Sequence, residues 1–243
     1  RAPAFLRVNF RKTTIDKAQS ILSGDGIQTV KHPSIITALR VIEGQNKIKN
    51  CTAYKDGFVE IQDASSQASV IDLPRDSNLK ILDYCCGSGG KSLALDAWTE
   101  GKIFAYDIFP DRSFNLKTRA ERSNAQITKI SKPIKEMFDV IFCDVPCSGS
   151  GSWRRDPDGK WKLNEHSWQN LLNTQIEVLN EAKKLLKTDG ILIYATCSVL
   201  LSENYKQLEK FCLINPEFEI KKAHQFLPSD LGDGFFYVFL GFW

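Results

Sequence analysis

The chain has 243 residues, of which 42% are hydrophobic and 25% charged, and its formal net charge is +3. That length suits one large α/β domain with a smaller companion, and the composition is typical of a soluble globular protein rather than a disordered or fibrous one. No apolar run approaches the roughly 18 residues of a transmembrane helix, and no signal-peptide pattern is present. Because the sequence opens on RAPAFLRVNF without a methionine, we expect part of a longer product.

Basic residues concentrate near the amino terminus. Residues 1–50 contain nine Lys or Arg and three acidic residues, whereas the remainder carries 23 basic and 26 acidic residues. A basic segment on a nearly neutral body favours a polyanionic partner such as nucleic acid, with Arg7, Arg11 and Lys12 as candidate contacts. Charge alone leaves open a solvated surface on which charges happen to cluster.

The seven cysteines form an odd set without disulfide-like spacing. This usage indicates reduced thiols and a cytoplasmic protein. The closest metal-like spacing is Cys143-x-x-x-Cys147, and all three histidines are remote from it in sequence, so we expect no metal site.

Residues 1–62 predict a small α+β module. FLRVNF at residues 5–10 favours a strand, and the segment from Thr14 to Ser23 predicts a helix that begins at a threonine cap and ends at a glycine. The segment from Ser34 to Glu43 repeats that pattern and predicts a second helix.

Asp56-Gly57 lies between apolar flanks, which predicts a β-hairpin. Ser65, Ser66 and Ser69, with Gln67 among them, predict a polar connector to the main domain, residues 63–243.

From residue 79 onward, short continuous apolar runs alternate with helix-like stretches. Strands that are buried on both faces and alternate with helices predict a parallel, doubly wound, Rossmann-like sheet. The final run, 234–243, predicts an antiparallel strand at the sheet edge. The four earlier runs are LKILDYC (79–85), KIFAYDI (102–108), FDVIFCDV (138–145) and GILIYATC (190–197), and the helix-like stretches are 91–99, 111–124 and 165–187.

The loop after the first run is rich in glycine and opens a helix. Its G-x-G-G spacing differs from the dinucleotide and Walker patterns, which favours a nucleoside with an amino-acid tail over a pyrophosphate. Asp107, 20 residues after Gly87, ends the second run, where a carboxylate can bind both ribose hydroxyls. The candidate cofactor-binding residues are Cys85, Cys86, Gly87, Ser88, Gly89, Gly90, Lys91, Asp107 and Asp144.

Two cysteines follow the ends of the third and fourth runs. Carboxyl ends of neighbouring parallel strands meet at one sheet edge, so Cys147 and Cys197 should converge there beside Asp144. A single strand-end cysteine is more often a small core residue, but two in polar settings favour reactive thiols.

Four segments resemble successive motifs of the Sun (Fmu) family of RNA 5-methylcytosine methyltransferases, small-subunit ribosomal RNA type. These segments are ILDYCCGSGGKS, AYDI with RAERSN, FDVIFCDVPCSGSGSWRRDPDGKW and LIYATCSVLLSEN, while LRVNFRKT and VEIQDASSQ resemble the family's RNA-recognition module. The resemblance covers most of the chain. It implies a class I methyltransferase that uses S-adenosyl-L-methionine, binds RNA without a metal or membrane, and is a monomer.

The resemblance also implies the roles of the two thiols. Cys197 would add to carbon 6 of cytosine and so activate carbon 5 for methylation, Cys147 would assist release, and Asp144 would lie at the target base. One departure is that family members usually carry a further Asp near the adenine, and none lies between Asp111 and Asp139. Backbone groups or apolar side chains would then contact the adenine.

The loop after Cys147 combines flexible residues with Trp153, Arg154 and Arg155. An aromatic face and two guanidinium groups suit base stacking and phosphate binding, although Trp153 could equally cover the domain edge.

Two alternatives remain open, a tRNA cytosine methyltransferase and a non-catalytic RNA-binding scaffold with the same fold. A DNA cytosine methyltransferase would need a target-recognition domain for which the chain has no room, and an adenine N-methyltransferase would be expected to show Asp-Pro-Pro-Tyr in place of Asp144 to Cys147.

Overall fold

Two β-sheets organise residues 2–242, the part of the chain that the computed structural model describes. One sheet has four strands and the other has seven. Arg1, counted with the basic segment, and Trp243, assigned to the last strand, lie outside the described residues.

The four-stranded sheet is antiparallel, in the order β2-β3-β1-β4. The helix predicted after the first strand is confirmed, and Thr14 caps it by accepting a hydrogen bond from the backbone N–H of Lys17. Leu6, Leu22 and Leu39 are buried in a common core. The elements are β1 (Ala4–Val8), α1 (Ile15–Gly24), β2 (Gln28–Lys31), β3 (Ala38–Glu43), α2 (Thr52–Lys55) and β4 (Val59–Ile61).

The helix predicted from Ser34 to Glu43 is wrong. Strand β3 occupies 38–43 and pairs with β1 on one side and β2 on the other. The β-branched residues Val41 and Ile42 fit this pleated surface better than a helix, and pairing along both edges overrides the helix-like spacing.

The hairpin predicted at Asp56-Gly57 is also wrong. Gly57 has φ +67° and follows the short helix α2. Its N–H donates to the Tyr54 carbonyl and the Phe58 N–H donates to the Ala53 carbonyl, which is the Schellman pattern that ends a helix. The same dipeptide therefore supplies a helix end rather than a two-residue turn.

The segment predicted to be a polar connector is a helix, α3 (Ala64–Ile71). Asp63 caps it by accepting from the Ser65 N–H, and most of its side chains are buried. Gln67 accepts from the Thr37 hydroxyl and donates to the Gln62 carbonyl. Small polar residues whose hydrogen bonds are satisfied internally allow this helix to pack closely, so polarity did not mean exposure here.

The predicted parallel sheet is confirmed, in the order β10-β11-β9-β8-β5-β6-β7. The five strands from β9 to β7 are parallel, while β11 is antiparallel to both of its neighbours. Its elements are β5 (Lys80–Asp83), α4 (Gly90–Trp98), β6 (Lys102–Ala105), α5 (Leu116–Ser123), β7 (Ile127–Lys129), β8 (Phe138–Asp144), α6 (Pro157–Lys162), α7 (Glu165–Lys183), β9 (Leu186–Thr196), α8 (Tyr205–Ile214), β10 (Phe218–Phe226) and β11 (Phe235–Phe242).

The last strand is antiparallel as predicted, but it is not at the edge. Strand β10 pairs along its outer side and takes the edge position. This explains why 235–240 is apolar and buried throughout, since a strand between two neighbours is covered more fully than an edge strand. Strand β10 contains two adjacent exposed lysines, Lys221 and Lys222, and was not predicted.

The large sheet is buried on both faces. Ile81 and Phe142 pack in the core shared with α3 and α4, whereas Leu82 and Ile141 pack in the core shared with α7 and α8. Two-sided burial explains the continuous apolar runs in the sequence. No helix in residues 2–242 has the length and apolarity needed to cross a membrane.

Candidate functional site

The glycine-rich loop joins β5 to α4 and depends on two left-handed residues. Gly87 has φ +47° and Gly89 has φ +86°. A Cβ on Gly89 would lie 2.2 Å from the Leu116 side chain, whereas one on Gly87 would meet no atom within 4 Å. Gly89 is therefore required by both backbone and packing, and Gly87 leaves open space in front of the loop.

Asp107 faces this loop from the end of β6. Its two carboxylate oxygens accept hydrogen bonds from the backbone N–H groups of Gly87, at 2.8 Å, and Phe109, at 2.9 Å. These bonds fix the orientation of the carboxylate relative to the glycine-rich loop.

A cleft of about 400 Å³ opens where β5, β6, β8 and β9 end. Gly87 and Asp107 lie on its wall together with Asp144, Cys147 and Cys197, so the structure brings the predicted residues to one cavity. Helix α7 closes another side. The other lining residues are Tyr84, Cys85, Tyr106, Ile108, Phe109, Arg112, Lys132, Val145, Pro146, Thr174, Glu177, Val178 and Glu181.

The remaining loop residues do not line the cleft. Cys86 is buried, and burial raises the pKa of its thiol to about 12. Ser88 accepts hydrogen bonds from Arg119, while Gly89 and Gly90 begin α4. Of the seven loop residues predicted to bind the cofactor, Cys85 and Gly87 line the cavity.

Lys91 is buried and lies 3.2 Å from a carboxylate oxygen of Asp144. Its ammonium also donates to the hydroxyl of Ser66 in α3 and lies 4.3 Å from the centre of the Phe235 ring. The ammonium is thus turned toward Asp144, which lines the cleft. Asp144 is about one-third exposed, so part of its carboxylate still faces the cavity.

Asp83 lies behind this pair and is fully buried. One carboxylate oxygen accepts a 2.6 Å hydrogen bond from Ser92, and the other has no hydrogen-bond partner among the described residues. Burial, together with the nearby charge of Asp144, raises the pKa of Asp83 to about 7.

The sulfur atoms of Cys147 and Cys197 are 3.2 Å apart. A hydrogen bond from Cys147 lowers the pKa of the Cys197 thiol, with a smaller contribution from the Lys91 charge. The same bond, with burial, raises the pKa of Cys147 well above its usual value. The pair is therefore asymmetric, because the proton is held more tightly by Cys147 than by Cys197.

The other cysteines lack this polarisation. Cys143 is fully buried inside β8, and burial raises its pKa well above the usual value, as it does for Cys85. Burial also raises the pKa values of Cys51 and Cys212. Among residues 2–242, no cluster of three His, Cys, Asp or Glu side chains could hold a metal ion.

The prediction that Arg7 contacts RNA does not fit its position. Arg7 is 4% exposed, and its guanidinium donates to Gln62 at 2.7 Å. Burial lowers its pKa to about 10. Arg7 borders a small internal cavity with residues of α3 and α4, so it is enclosed between the small sheet and the large domain instead of facing solvent.

Arg11 and Lys12 also contact the body of the protein. Arg11 donates to the carbonyls of Asp96 and Thr99, and Lys12 donates to those of Asp56 and Arg122. Arg11 is exposed and Lys12 partly exposed, so a role in RNA binding stays a prediction for these two residues.

Arg154 and Arg155 are engaged within the protein. Both pair with Asp233, and Arg154 also donates to the Ser229 and Gly232 carbonyls. Arg155 contacts Asp63 and the Pro3 carbonyl. Guanidinium groups that already pair with Asp233 and donate to backbone carbonyls are less available to phosphate, and no pattern in the sequence pointed to Asp233 as their partner. Trp153 is partly buried and donates to the Ser148 carbonyl.

Sequence reasoning missed Glu203, which is fully buried and contacts the loops of both thiols. It also missed Lys132 and Glu181, which pair across the cleft at 3.6 Å. Glu203 follows the Thr-Cys-Ser motif in the sequence, but only the fold shows that its side chain is buried against the two cysteine loops.

A family model described as 16S rRNA methyltransferase RsmB/F matches residues 70–240. The chain belongs to this family. The match contains the glycine-rich loop, Asp144 and both cysteines of the cleft, and it confirms the family expected from the motifs. RsmB/F relatives and solved structures extend the likeness to the whole chain.

Ribosomal RNA small subunit methyltransferase B of Klebsiella pneumoniae (strain 342) is 32% identical over 255 residues, covering 98% of this chain and 59% of the relative. The chain therefore spans about 59% of the length of the curated relative. The solved structure of PH0851 has a TM-score of 0.92 at 26% identity, over 99% of this chain and 60% of that one. NSun6 from Pyrococcus horikoshii with SFG has a TM-score of 0.85 at 16% identity, over 99% and 90%, which shows the shared fold.

Proposed function

We propose that this chain transfers a methyl group from S-adenosyl-L-methionine to carbon 5 of a cytosine in RNA, with small-subunit ribosomal RNA as the substrate. The observation that carries the proposal is the polarised pair of Cys147 and Cys197, 3.2 Å apart in a cleft that also holds Asp144. The RsmB/F family and the relative's name support the choice of substrate.

The glycine-rich side of the cleft fits a nucleoside with an amino-acid tail. Gly87 leaves space for close approach, and Asp107 presents an oriented carboxylate that can accept hydrogen bonds from ribose hydroxyls. The structurally similar NSun6 is described with SFG, an analogue of S-adenosylmethionine. When bound, S-adenosylmethionine supplies an electrophilic methyl group. The chain's part is to hold it beside the thiols and to activate the base.

Cys197 is the group that activates the base. Carbon 5 of cytosine is a poor nucleophile, but addition of a thiolate to carbon 6 gives it enamine character. The addition needs a thiolate, and Cys197 is the cysteine whose pKa is lowered, by the hydrogen bond from Cys147, whereas the pKa values of the other six are raised.

Asp144 and Lys91 stabilise the charge that this addition places on the ring. Addition at carbon 6 moves electron density toward N3 and the exocyclic amine. N3 takes up a proton from solvent as it becomes electron-rich, and the Asp144 carboxylate can then accept from this N3–H and from the exocyclic amine. The pairing of Asp144 with Lys91 at 3.2 Å holds the carboxylate in place. The buried ammonium also offsets the negative charge of two neighbouring groups, the carboxylate and the Cys197 thiolate.

Release of the product reverses the first step. A base in the cleft removes the proton from the methylated carbon 5, and the Cys197 sulfur leaves carbon 6 as a thiolate. The Cys147 thiol can donate to that sulfur as it departs, because the two atoms are already within contact. Loss of this donor would slow elimination more than the later steps of release.

The test is product analysis on the purified chain. Calorimetry with S-adenosylmethionine should show binding, and a small-subunit ribosomal RNA transcript incubated with both should yield 5-methylcytidine on nucleoside mass spectrometry. Cys197→Ala should bind S-adenosylmethionine with unchanged affinity but form no product, whereas Cys212→Ala, a thiol outside the cleft, serves as the matched control. Binding without any 5-methylcytidine would contradict the proposal and favour a non-catalytic scaffold.

A further inference from the structure

Glu203 is a fully buried acidic residue that lies just before α8 and beneath the two cysteine loops. One carboxylate oxygen accepts hydrogen bonds from the hydroxyls of both Ser148 and Ser198. The other accepts from the backbone N–H of Ser148, at 2.8 Å, and from the side-chain amide of Gln175, at 3.1 Å. Four donors therefore converge on this one buried carboxylate and satisfy its acceptor sites.

The two serines are the chain neighbours of the reactive thiols. Ser148 follows Cys147, and Ser198 follows Cys197. One carboxylate therefore ties together the loop after β8 and the loop after β9. Ser150 reinforces the link, because its hydroxyl lies 2.8 Å from that of Ser198 and accepts from the Val199 N–H.

The same carboxylate acts on the protons of the pair. Among the described residues its hydrogen-bond partners are all neutral, so its charge is compensated by dipoles rather than by a cation. Its negative charge contributes to the raised pKa of Cys147, behind the hydrogen bond to Cys197 and burial. The charge thus helps to keep the proton on Cys147, where it can be donated to Cys197.

We propose that Glu203 is the positioning residue of the thiol pair: through Ser148 and Ser198 it holds the two cysteine loops in contact, so that the Cys147 thiol can donate to the Cys197 sulfur. The importance of Glu203 for catalysis rests on the function proposed above. Its effect on the two thiols does not, because thiol reactivity can be measured without RNA or S-adenosylmethionine. Glu203 acts through the serines and Cys147 and touches no substrate.

The test measures the alkylation of each thiol. Iodoacetamide labelling across a pH series, followed by peptide mass spectrometry, should show Cys197 of the wild type reacting at least tenfold faster than Cys147. Glu203→Gln keeps the shape but loses the charge and half of the acceptor capacity, so this preference should fall at least fivefold. Glu209→Gln, an exposed position on α8, is the matched control and should keep the wild-type preference.

A comparison of kcat with cofactor affinity distinguishes a positioning role from a general loss of structure. Glu203→Gln should lower kcat for methyl transfer at least tenfold while the calorimetric affinity for S-adenosylmethionine changes less than twofold. Wild-type alkylation preference in Glu203→Gln would overturn the proposal. Should that variant fail to fold, Ser198→Ala carries the test, because it removes one donor and should also reduce the preference, and an unchanged preference there would overturn the proposal.

The two proposals fail in different ways. If the wild type makes no 5-methylcytidine but Glu203→Gln still loses thiol selectivity, the positioning role stands and the proposed reaction does not. If the wild type methylates RNA and Glu203→Gln matches it in both rate and selectivity, the reaction stands and the role of Glu203 is refuted.

Discussion

Removal of the Cys147 thiol should make Cys197 less reactive. The two sulfur atoms are 3.2 Å apart, and the hydrogen bond from Cys147 is the main cause of the lowered pKa of Cys197. A hydrogen bond to a charged group is worth roughly 1.5–3 kcal/mol. Its loss in Cys147→Ala should therefore reduce the thiolate fraction of Cys197 at neutral pH by roughly 10- to 100-fold.

The rate of alkylation at Cys197 measures this fraction directly. Cys147→Ser provides a close comparison, because a hydroxyl can still donate to the thiolate while the second sulfur is gone. We expect iodoacetamide to label Cys197 slowly in Cys147→Ala and at nearly the wild-type rate in Cys147→Ser. If Cys197 is alkylated at the wild-type rate in both variants, the reasoning is refuted, because the reactivity of Cys197 would then not depend on a hydrogen bond from residue 147.

Three further changes test other parts of the account. Asp107→Ala should weaken S-adenosylmethionine binding by roughly 1.5–3 kcal/mol in calorimetric titration, and unchanged affinity would remove Asp107 from the ribose site. The pKa of Asp83 is raised by burial from 3.8 to about 7. As pH rises between these values the unfolded chain releases the Asp83 proton while the folded chain keeps it, so wild type should lose on the order of 4 kcal/mol of unfolding free energy relative to Asp83→Asn. Urea denaturation across that range measures the difference, and parallel curves for the two proteins would count against it. Arg7→Met should destabilise the fold by about 1–3 kcal/mol in urea, because the Gln62 oxygen loses its buried donor, and should leave the salt dependence of RNA binding unchanged. A flatter salt dependence of RNA binding in Arg7→Met would instead indicate that Arg7 contacts RNA.

The large sheet could be predicted because its signal is local and strong. Strands buried on both faces leave continuous apolar runs such as FDVIFCDV, and each ends near a residue of the cleft. The convergence of Cys147 and Cys197 followed from the rule that parallel strands end at one edge. Strand β10 was missed because it is the edge strand, and its half-exposed residues weaken the pattern.

The small module was harder to predict because its elements depend on tertiary partners. Asp56-Gly57 is equally suited to a hairpin turn and to a helix end, and only the packing of α2 decides between them. The residues from Ser65 to Ser69 are polar in sequence but buried in the fold, since Thr37 and Gln62 satisfy Gln67. The same limit applies to Arg7, whose partner is distant in the chain.

The covalent RNA adduct tests the central claim most directly. After incubation with S-adenosylmethionine and the ribosomal RNA transcript, Cys147→Ala should retain RNA on a denaturing gel, because addition at carbon 6 still occurs, although more slowly, and elimination without its donor is slowed further. Cys197→Ala should retain none, because no other thiol of the cleft is polarised for attack. A retained band with Cys197→Ala and none with Cys147→Ala would contradict the account and assign the nucleophile to Cys147.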